Sequence, residues 1–280
     1  MGTEAAGTLF VVGTPIGNLG DVSARARDVL SNVELIAAED TRRTGRLLQA
    51  LDIARPRLMS MHDANEAARV PQVIRRLEAG ADAALVSDGG MPLVSDPGFR
   101  LVREAATRGI RVQVVPGPSA AVAALVVSGL PTDRWAFEGF LPKKPGPRRR
   151  RLEVLRGDDR TLVFFESPVR ARATLADMVA ILGERPVALC RELTKLHEEV
   201  LRGTASAVLE ELRGGDPKGE VVLVVGGSAD AAAVDLAAAL EEALGLVAAG
   251  TKKRQAARVV GERHGLSANV LYRALLDEAS

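Results

Sequence analysis

A chain of 280 residues, 47% of them apolar, is long enough for two buried cores; with only 3% aromatics, Ala, Val and Leu must fill them. Lys and Arg total 37 against 36 Asp and Glu, a net charge of +1, so affinity for a polyanion must come from local patches. A single cysteine excludes an internal disulfide framework and a multi-cysteine metal site. The absence of a secretory-type start and of a long unbroken apolar run leads to the expectation of a soluble cytoplasmic protein with no membrane partner.

Thr8–Val12 is a short β-type run that ends in GTPIGNLGD (Gly13–Asp21) before a helical pattern over Val22–Leu30. The glycines are not spaced as a GxGxxG fingerprint, and no acidic residue follows where a dinucleotide ribose needs one. A tight βα turn therefore stands beside a ligand loop as a reading. Leu35–Ala38 runs straight into Glu39, Asp40, Thr41, Arg42 and Arg43. That cluster is too polar for a core: it is a helix start capped by Asp40 or Thr41, or a site facing a substrate. Leu58–Met61 leads into His62-Asp63-Ala64-Asn65-Glu66 and a helix to Ala79. His62 gains interest because it too sits where a strand gives way to a helix.

The stretch Ala83–Gly98 organises this half. An apolar run, Ala83–Val86, breaks into Ser87-Asp88-Gly89-Gly90; Met91–Val94 follows, and Asp96-Pro97-Gly98 closes a second turn before a helix to Arg108. Glycine-rich loops at carboxyl strand ends are where open α/β sheets take ligands, and Gly89 and Gly90 permit close approach to the main chain. Val112–Val115 ends in Pro116-Gly117-Pro118-Ser119-Ala120, followed by an Ala/Val helix to Ser128. Repeated strand–loop–helix units predict a parallel sheet with all these loops on one edge.

Pro131–Trp135 reads as a linker and Phe137–Leu141 as a strand. Pro142–Arg151 then holds six basic residues and three prolines with no acid (Lys143, Lys144, Arg148, Arg149, Arg150, Arg151). It is a solvated charged loop or, beside a cofactor site, a mobile loop suited to phosphate backbones, and the second reading is preferred. Thr161–Phe165 ends in Glu166-Ser167-Pro168. Val187–Cys190 ends in Arg191–Lys195, and Val200–Thr204 and Glu220–Val225 complete the strands. Helices join only some of these, which predicts a mixed sheet. Beyond Gly227 the chain is Ala-rich and helical. Two patterns, Lys252–Arg263 and Ser267–Glu278, hinge on His264-Gly265-Leu266, with Ser267 placed to cap the second. Their basic residues, among them Lys252, Lys253 and Arg254, serve RNA contact or merely flank a packing hairpin. The expected organisation is an α/β domain over 1–131, a second over 132–228 with a cleft between them, and a helical unit over 229–280.

The ordered motifs GTPIGNLGD, AEDTR, HDANE, SDGGMPLVSDPG, VPGPSA, FEGFLP, FFESP, RELTK–HEE and KGE resemble the tetrapyrrole methylase-like superfamily. Within it they are similar to the branch of small-subunit (16S) ribosomal RNA cytidine 2′-O-methyltransferases. The resemblance implies a two-domain fold, S-adenosylmethionine in the cleft, a homodimer, and 16S rRNA in the small subunit as partner. By motif position it implies cofactor contacts, mostly main-chain, from Pro15, Gly90, Met91, Val94, Ser119, Ala120, Glu166 and Leu193. Asp88 shares that loop, but the motif sets Met91 against the usual aspartate, which leaves Asp88 to the cofactor or to the turn. The chain departs from the branch at Met91, usually a small hydroxyl residue, and at Val169, often a histidine.

Methyl transfer from a sulfonium needs no metal, only positioning and removal of the acceptor's proton. The candidates for that work are Glu39, Asp40, Arg42, His62, Asn65, Glu66, Glu192 and Lys195. Lys195 qualifies as a base only with a depressed pKa. A methyltransferase of tetrapyrroles or other small molecules, and a non-catalytic RNA-binding module, are the competing functions. Neither accounts at once for the loops, the Pro/Arg segment and the terminal helices.

Overall fold

The computed structural model describes residues 6–54, 56–264, 266 and 268–277. Strands β1 (Leu9–Val12), β2 (Leu35–Ala38), β3 (Arg57–Ser60), β4 (Ala83–Val86) and β5 (Val112–Val115) form an all-parallel sheet in the order β3-β2-β4-β1-β5. The inner strands are apolar at consecutive positions because both faces are covered. Leu9, Ala37, Met59 and Leu85 pack under α3 (Glu66–Glu78) and α4 (Phe99–Thr107). Val12, Ile36, Ala38 and Val86 pack under α1 (Ala24–Asn32) and α2 (Thr41–Ala50). Side-chain caps fix where these last two helices begin: Ser23 Oγ accepts from Ala26 N at 3.0 Å and Asp40 Oδ1 from Arg42 N at 2.8 Å.

The second sheet is mixed, as the uneven distribution of helices predicts. Strands β6 (Trp135–Phe140), β7 (Thr161–Glu166), β8 (Pro186–Arg191), β9 (Glu199–Thr204) and β10 (Val221–Val225) lie in the order β6-β7-β10-β8-β9. Only β6 and β7 pair in parallel. Helices α6 (Pro145–Val154), α7 (Pro168–Leu182) and α8 (Ala205–Glu211) cover one face. The other face is covered by α5 (Ala120–Ser128), which follows β5 in the chain. Ala121, Ala124 and Leu125 pack it onto Val163, Ala188, Val222 and Val224. Small side chains let this helix lie close to the strands, so α5 carries the chain from one sheet to the other. Cys190 is part of this packing, and burial pushes its thiol up to about 11.

The basic segment is not a mobile loop. It forms α6, with Pro145 in the first turn, where a missing N–H breaks no helical hydrogen bond. Arg148 is buried at 5% exposure, with Nε donating to Asp177 Oδ2 at 2.7 Å, so it cannot reach a phosphate. Arg149 Nε bonds Asp177 Oδ1 at 2.8 Å, and Arg151 Nε bonds Glu138 Oε2 at 3.0 Å. The partners come from α7 and β6, too distant in sequence for the charge run to reveal them. Lys143, Lys144 and Arg150 remain exposed.

Helices α9 (Ala229–Ala248), α10 (Lys253–His264) and α11 (Ala268–Asp277) pack through Ala239, Ala243, Ala257, Val260, Leu271 and Leu275. Lys253 Nζ donates to Leu275 O at 2.9 Å, and Arg263 and His264 both bond Glu242 at 2.6 Å, while Lys252 and Arg254 stay exposed. The expected cap at Ser267 falls outside the described residues. Among the described residues no helix is long and apolar enough to cross a membrane.

Candidate active site

In the strand order, β1 lies between β4 and β5, so the loops after these three strands meet at one carboxyl edge. They meet backbone to backbone. A Cβ placed on Gly13 would lie 2.7 Å from Gly117 N and Cα, and one on Gly117 would lie 2.8 Å from Gly13 Cα. Thr14 N donates to Gly90 O at 2.9 Å, and Gly90 N returns a bond to Thr14 O at 3.0 Å. Gly90 does this at φ +92°, a conformation that glycine adopts without a steric penalty. Facing these loops are the end of β7 and the approach to β10. The cavity enclosed is about 800 Å³, lined by Pro15, Gly90, Met91, Val94, Ser119 and Ala120 from the first half and Phe140, Phe165, Glu166 and Gly219–Val222 from the second.

On the first-half wall of this cavity three carboxylates, Glu39, Asp88 and Asp96, stand with Arg43 and Arg46 of α2. Asp88 holds two loops together: its Oδ1 accepts from Asp40 N at 3.1 Å, its N faces Glu39 Oε2 at 3.4 Å, and Arg43 Nη1 lies 3.4 Å from Oδ2. Burial, and then the charge of Asp88, raise the pKa of Glu39. Burial, and then the charge of Glu39, push Asp96 up to about 6, against the pull of a hydrogen bond from Ser87. The loop bearing Asp96 is strained: Leu93 sits at φ 73° and Ser95 at φ 66°. Non-glycine residues in that region cost free energy, and such residues cluster at functional sites. In the sequence Asp96 shows only as a turn residue of Asp-Pro-Gly. The signal it offered was a second carboxylate eight positions after Asp88 around one glycine turn.

The other candidates divide sharply. Asp40 is the N-cap of α2, and its hydrogen bond with Arg42 lowers its carboxyl to about 2, which makes it a poor base. His62 and Asn65 form a turn of their own, with Asn65 Oδ1 accepting from His62 N at 2.9 Å and His62 exposed. Glu66 is buried and accepts from Gly98 N at 3.1 Å and Arg100 N at 2.9 Å, anchoring the start of α4. Lys195 Nζ reaches Glu192 Oε1 at 2.8 Å and Glu220 Oε2 at 3.1 Å. Burial alone would lower its pKa, but these carboxylates outweigh burial and raise it. Lys195 is therefore a firm ammonium, and the depressed pKa required of a base is absent. The same pairing lowers Glu192. Glu166 contributes wall rather than chemistry: it is buried, accepts from Thr174 Oγ1 at 2.6 Å and Ser167 N at 2.7 Å, and pairs with Arg170. Leu193 is packed in the cluster under α5 rather than on the cavity lining.

Two sheets of different topology, meeting across a loop-lined cleft at carboxyl strand ends, define an α/β protein with a candidate small-molecule site between its halves. A sequence profile of the Tetrapyrrole (Corrin/Porphyrin) Methylases matches residues 8–209. The chain is 45% identical over 275 residues to "Ribosomal RNA small subunit methyltransferase I" of Escherichia coli O157:H7, covering 97% of this chain and 96% of that one. It is 43% identical over 274 residues to the protein of that name from Synechocystis, covering 97% and 98%. Among solved structures, the methyltransferase CobJ superposes with a TM-score of 0.60 at 19% identity, over 80% of this chain and 95% of that one. Uroporphyrin-III C-methyl transferase from Thermus thermophilus, complexed with S-adenyl homocysteine, gives 0.54 at 19% identity, over 79% and 97%. The chain belongs to the tetrapyrrole methylase family.

Proposed function

We propose that this protein transfers a methyl group from S-adenosylmethionine to small-subunit ribosomal RNA, at the 2′-hydroxyl of a cytidine in the 16S molecule. The reading is carried by near full-length identity to proteins named for acting on small-subunit rRNA; the cytidine 2′-O position rests on the motif set quoted above. The cleft suits the cofactor. Its floor is main chain brought close by Gly13, Gly90 and Gly117, Met91, Val94 and Val222 give apolar surface, and a cation would meet carboxylates inside. When bound, S-adenosylmethionine supplies a methyl group already activated on a sulfonium.

This chain's residues then have two tasks. The loops after β1, β4 and β5 hold the donor rigidly, and a carboxylate takes the proton of the attacking hydroxyl. Asp96 is the residue for that step: near pKa 6 it is ionised at neutral pH yet a far better proton acceptor than Asp40 at about 2. Lys195 and Glu192 hold the loop after β8 beside Gly17, where a Cβ would meet Thr194 Oγ1 at 3.0 Å. A homodimer is part of the reading, since Val122 and Val126 leave apolar surface on the outer side of α5, 46% and 70% exposed.

Two results are expected. Labelled S-adenosylmethionine, offered with undermethylated 30S particles and with porphyrin precursors in parallel, labels the RNA; label in the porphyrin alone overturns the substrate assignment. Gly117→Val binds S-adenosylmethionine about 5- to 100-fold more weakly in calorimetry, because the clash is with backbone that cannot move aside, and overpacking of this kind costs about 1–3 kcal/mol. Wild-type affinity in that variant would show that the Gly13–Gly117 approach does not shape the cofactor site.

A further inference from the structure

Phe140 is 55% exposed and lines the cleft, in a chain with six phenylalanines, one tryptophan and one tyrosine. A backbone irregularity puts it there. Along β6, Trp135 and Phe137 face the cluster under α5, and Ala136 faces the core under α6 and α7. Unbroken alternation would send Phe140 the way of Ala136, into the core. The register against β7 shifts between Phe137 and Gly139, where Gly139 adopts φ +63°. A bulge of this kind re-aims the side chains that follow it. Phe140 consequently lands on the same side as Phe137, and both rings meet Phe165 nearly edge-on, at 5.6 and 4.8 Å between centroids. Leu141 drops into the core in its place, at 3% exposure. The fold thus holds an aromatic face open on the cleft and supports it from behind.

Arg46 of α2 lines the same cavity, and Lys143 and Lys144 follow Phe140 by three and four residues. All three are exposed, and none has an ion pair among the described residues, unlike Arg148, Arg149 and Arg151. An exposed aromatic ring with one unengaged cation in the same cavity and two in the chain segment that follows it has the composition of a single-stranded nucleic-acid site, where bases stack and phosphates meet the charges.

We propose that Phe140 is the stacking platform for a nucleobase of the RNA substrate, with Arg46, Lys143 and Lys144 taking the adjoining phosphates; this rests on the RNA-methyltransferase reading above. The test uses the full chain and a fluorescein-labelled, cytidine-rich single-stranded RNA, with affinity for S-adenosylmethionine measured separately. Phe140→Ala binds the RNA about 5- to 100-fold more weakly, the range expected for loss of one stacked base. Phe140→Leu keeps apolar bulk without the π face and does no better, whereas Phe140→Trp restores binding. Arg46→Ala lowers the slope of log affinity against log salt by about one, and Phe140→Ala leaves that slope unchanged. Wild-type RNA affinity in Phe140→Ala, full rescue by Leu, or a loss confined to S-adenosylmethionine would each overturn the proposal, the last by assigning the ring to the cofactor. Failure of the wild-type protein to methylate 30S particles would count against the activity itself. The binding measurements decide the role of Phe140 either way.

Discussion

Asp96→Asn is expected to lower the rate of methyl transfer about 10²- to 10⁴-fold, the range for losing a positioned proton acceptor, while S-adenosylmethionine binding stays within a few-fold. The wild-type rate should rise with pH through a limb near 6, where burial and Glu39 place the Asp96 carboxyl. In the asparagine variant that limb should vanish, and Asp96→Glu should restore part of the activity with a displaced limb. Stability should move the opposite way. Asp96 is raised from 3.8 to about 6, so the folded protein holds this proton more tightly than the unfolded chain. Ionisation is therefore unfavourable to the fold. Its contribution is intact below pH 3.8, is lost as pH rises through 6, and stays lost at neutral pH. Asparagine should accordingly stabilise the protein at pH 7–8 by about 1 kcal/mol, a figure reduced for the partial exposure of the group, with little effect near pH 4. A variant that melts higher and reacts slower is the signature of strain kept for function. An asparagine variant with wild-type rate and an unchanged limb would move the base elsewhere in the cleft, with Glu39 next in line.

Asp177→Ala should destabilise the fold by about 3–5 kcal/mol, as much as truncating a fully buried core aromatic. Arg148 and Asp177 are 6% and 5% exposed at the side chain, and Arg149 adds a second bond to the same carboxylate. Burial pushes the Asp177 carboxyl up, and the two guanidinium hydrogen bonds outweigh it and bring the pKa below the ordinary range. Removing the carboxylate strands a guanidinium between α6 and α7. The matched double variant Arg148→Met, Asp177→Leu should recover most of the loss, because an apolar pair of similar bulk leaves no buried charge. Urea unfolding of the three proteins checks this. A single variant within about 0.5 kcal/mol of wild type would show that the pair is solvated and that Arg148 is open to phosphate after all.

The parallel sheet was legible from the chain because each strand is a short apolar run and each loop carries its own Gly, Pro or capping signal. A helix start at Asp40 or Thr41 follows from local chemistry, and the structure decides for Asp40; the mixed character of the second sheet was legible too. What local reading misses is pairing at long range. The arginines of α6 look unpartnered until α7 brings Asp177 beneath them, 29 residues after Arg148. Lys195 looks like a possible base until Glu192 and Glu220 fix its charge. Asp96 reads as a turn residue because its burial depends on the strained loop around it and on Glu39 from another strand end. Phe140 is hidden by a one-residue bulge that no alternation pattern reveals. In each case the side chain was visible, and its environment was assembled from elsewhere in the chain.

On the proposed function, this cleft delivers a methyl group to a ribose oxygen of small-subunit RNA. A ribose methylated at its 2′-oxygen cannot undergo alkaline cleavage of the following phosphodiester, since the attacking hydroxyl is gone. The direct measurement is alkaline hydrolysis of 16S rRNA isolated from undermethylated 30S particles after incubation with the protein and methyl-labelled S-adenosylmethionine. The expected result is label in an alkali-resistant dinucleotide whose 5′ residue is 2′-O-methylcytidine, lower by about 10²- to 10⁴-fold when Asp96→Asn replaces the wild type over the same interval. Label in ordinary mononucleotides would place the methyl group on a base, and its absence from RNA at every stage of subunit assembly would overturn the proposed activity outright.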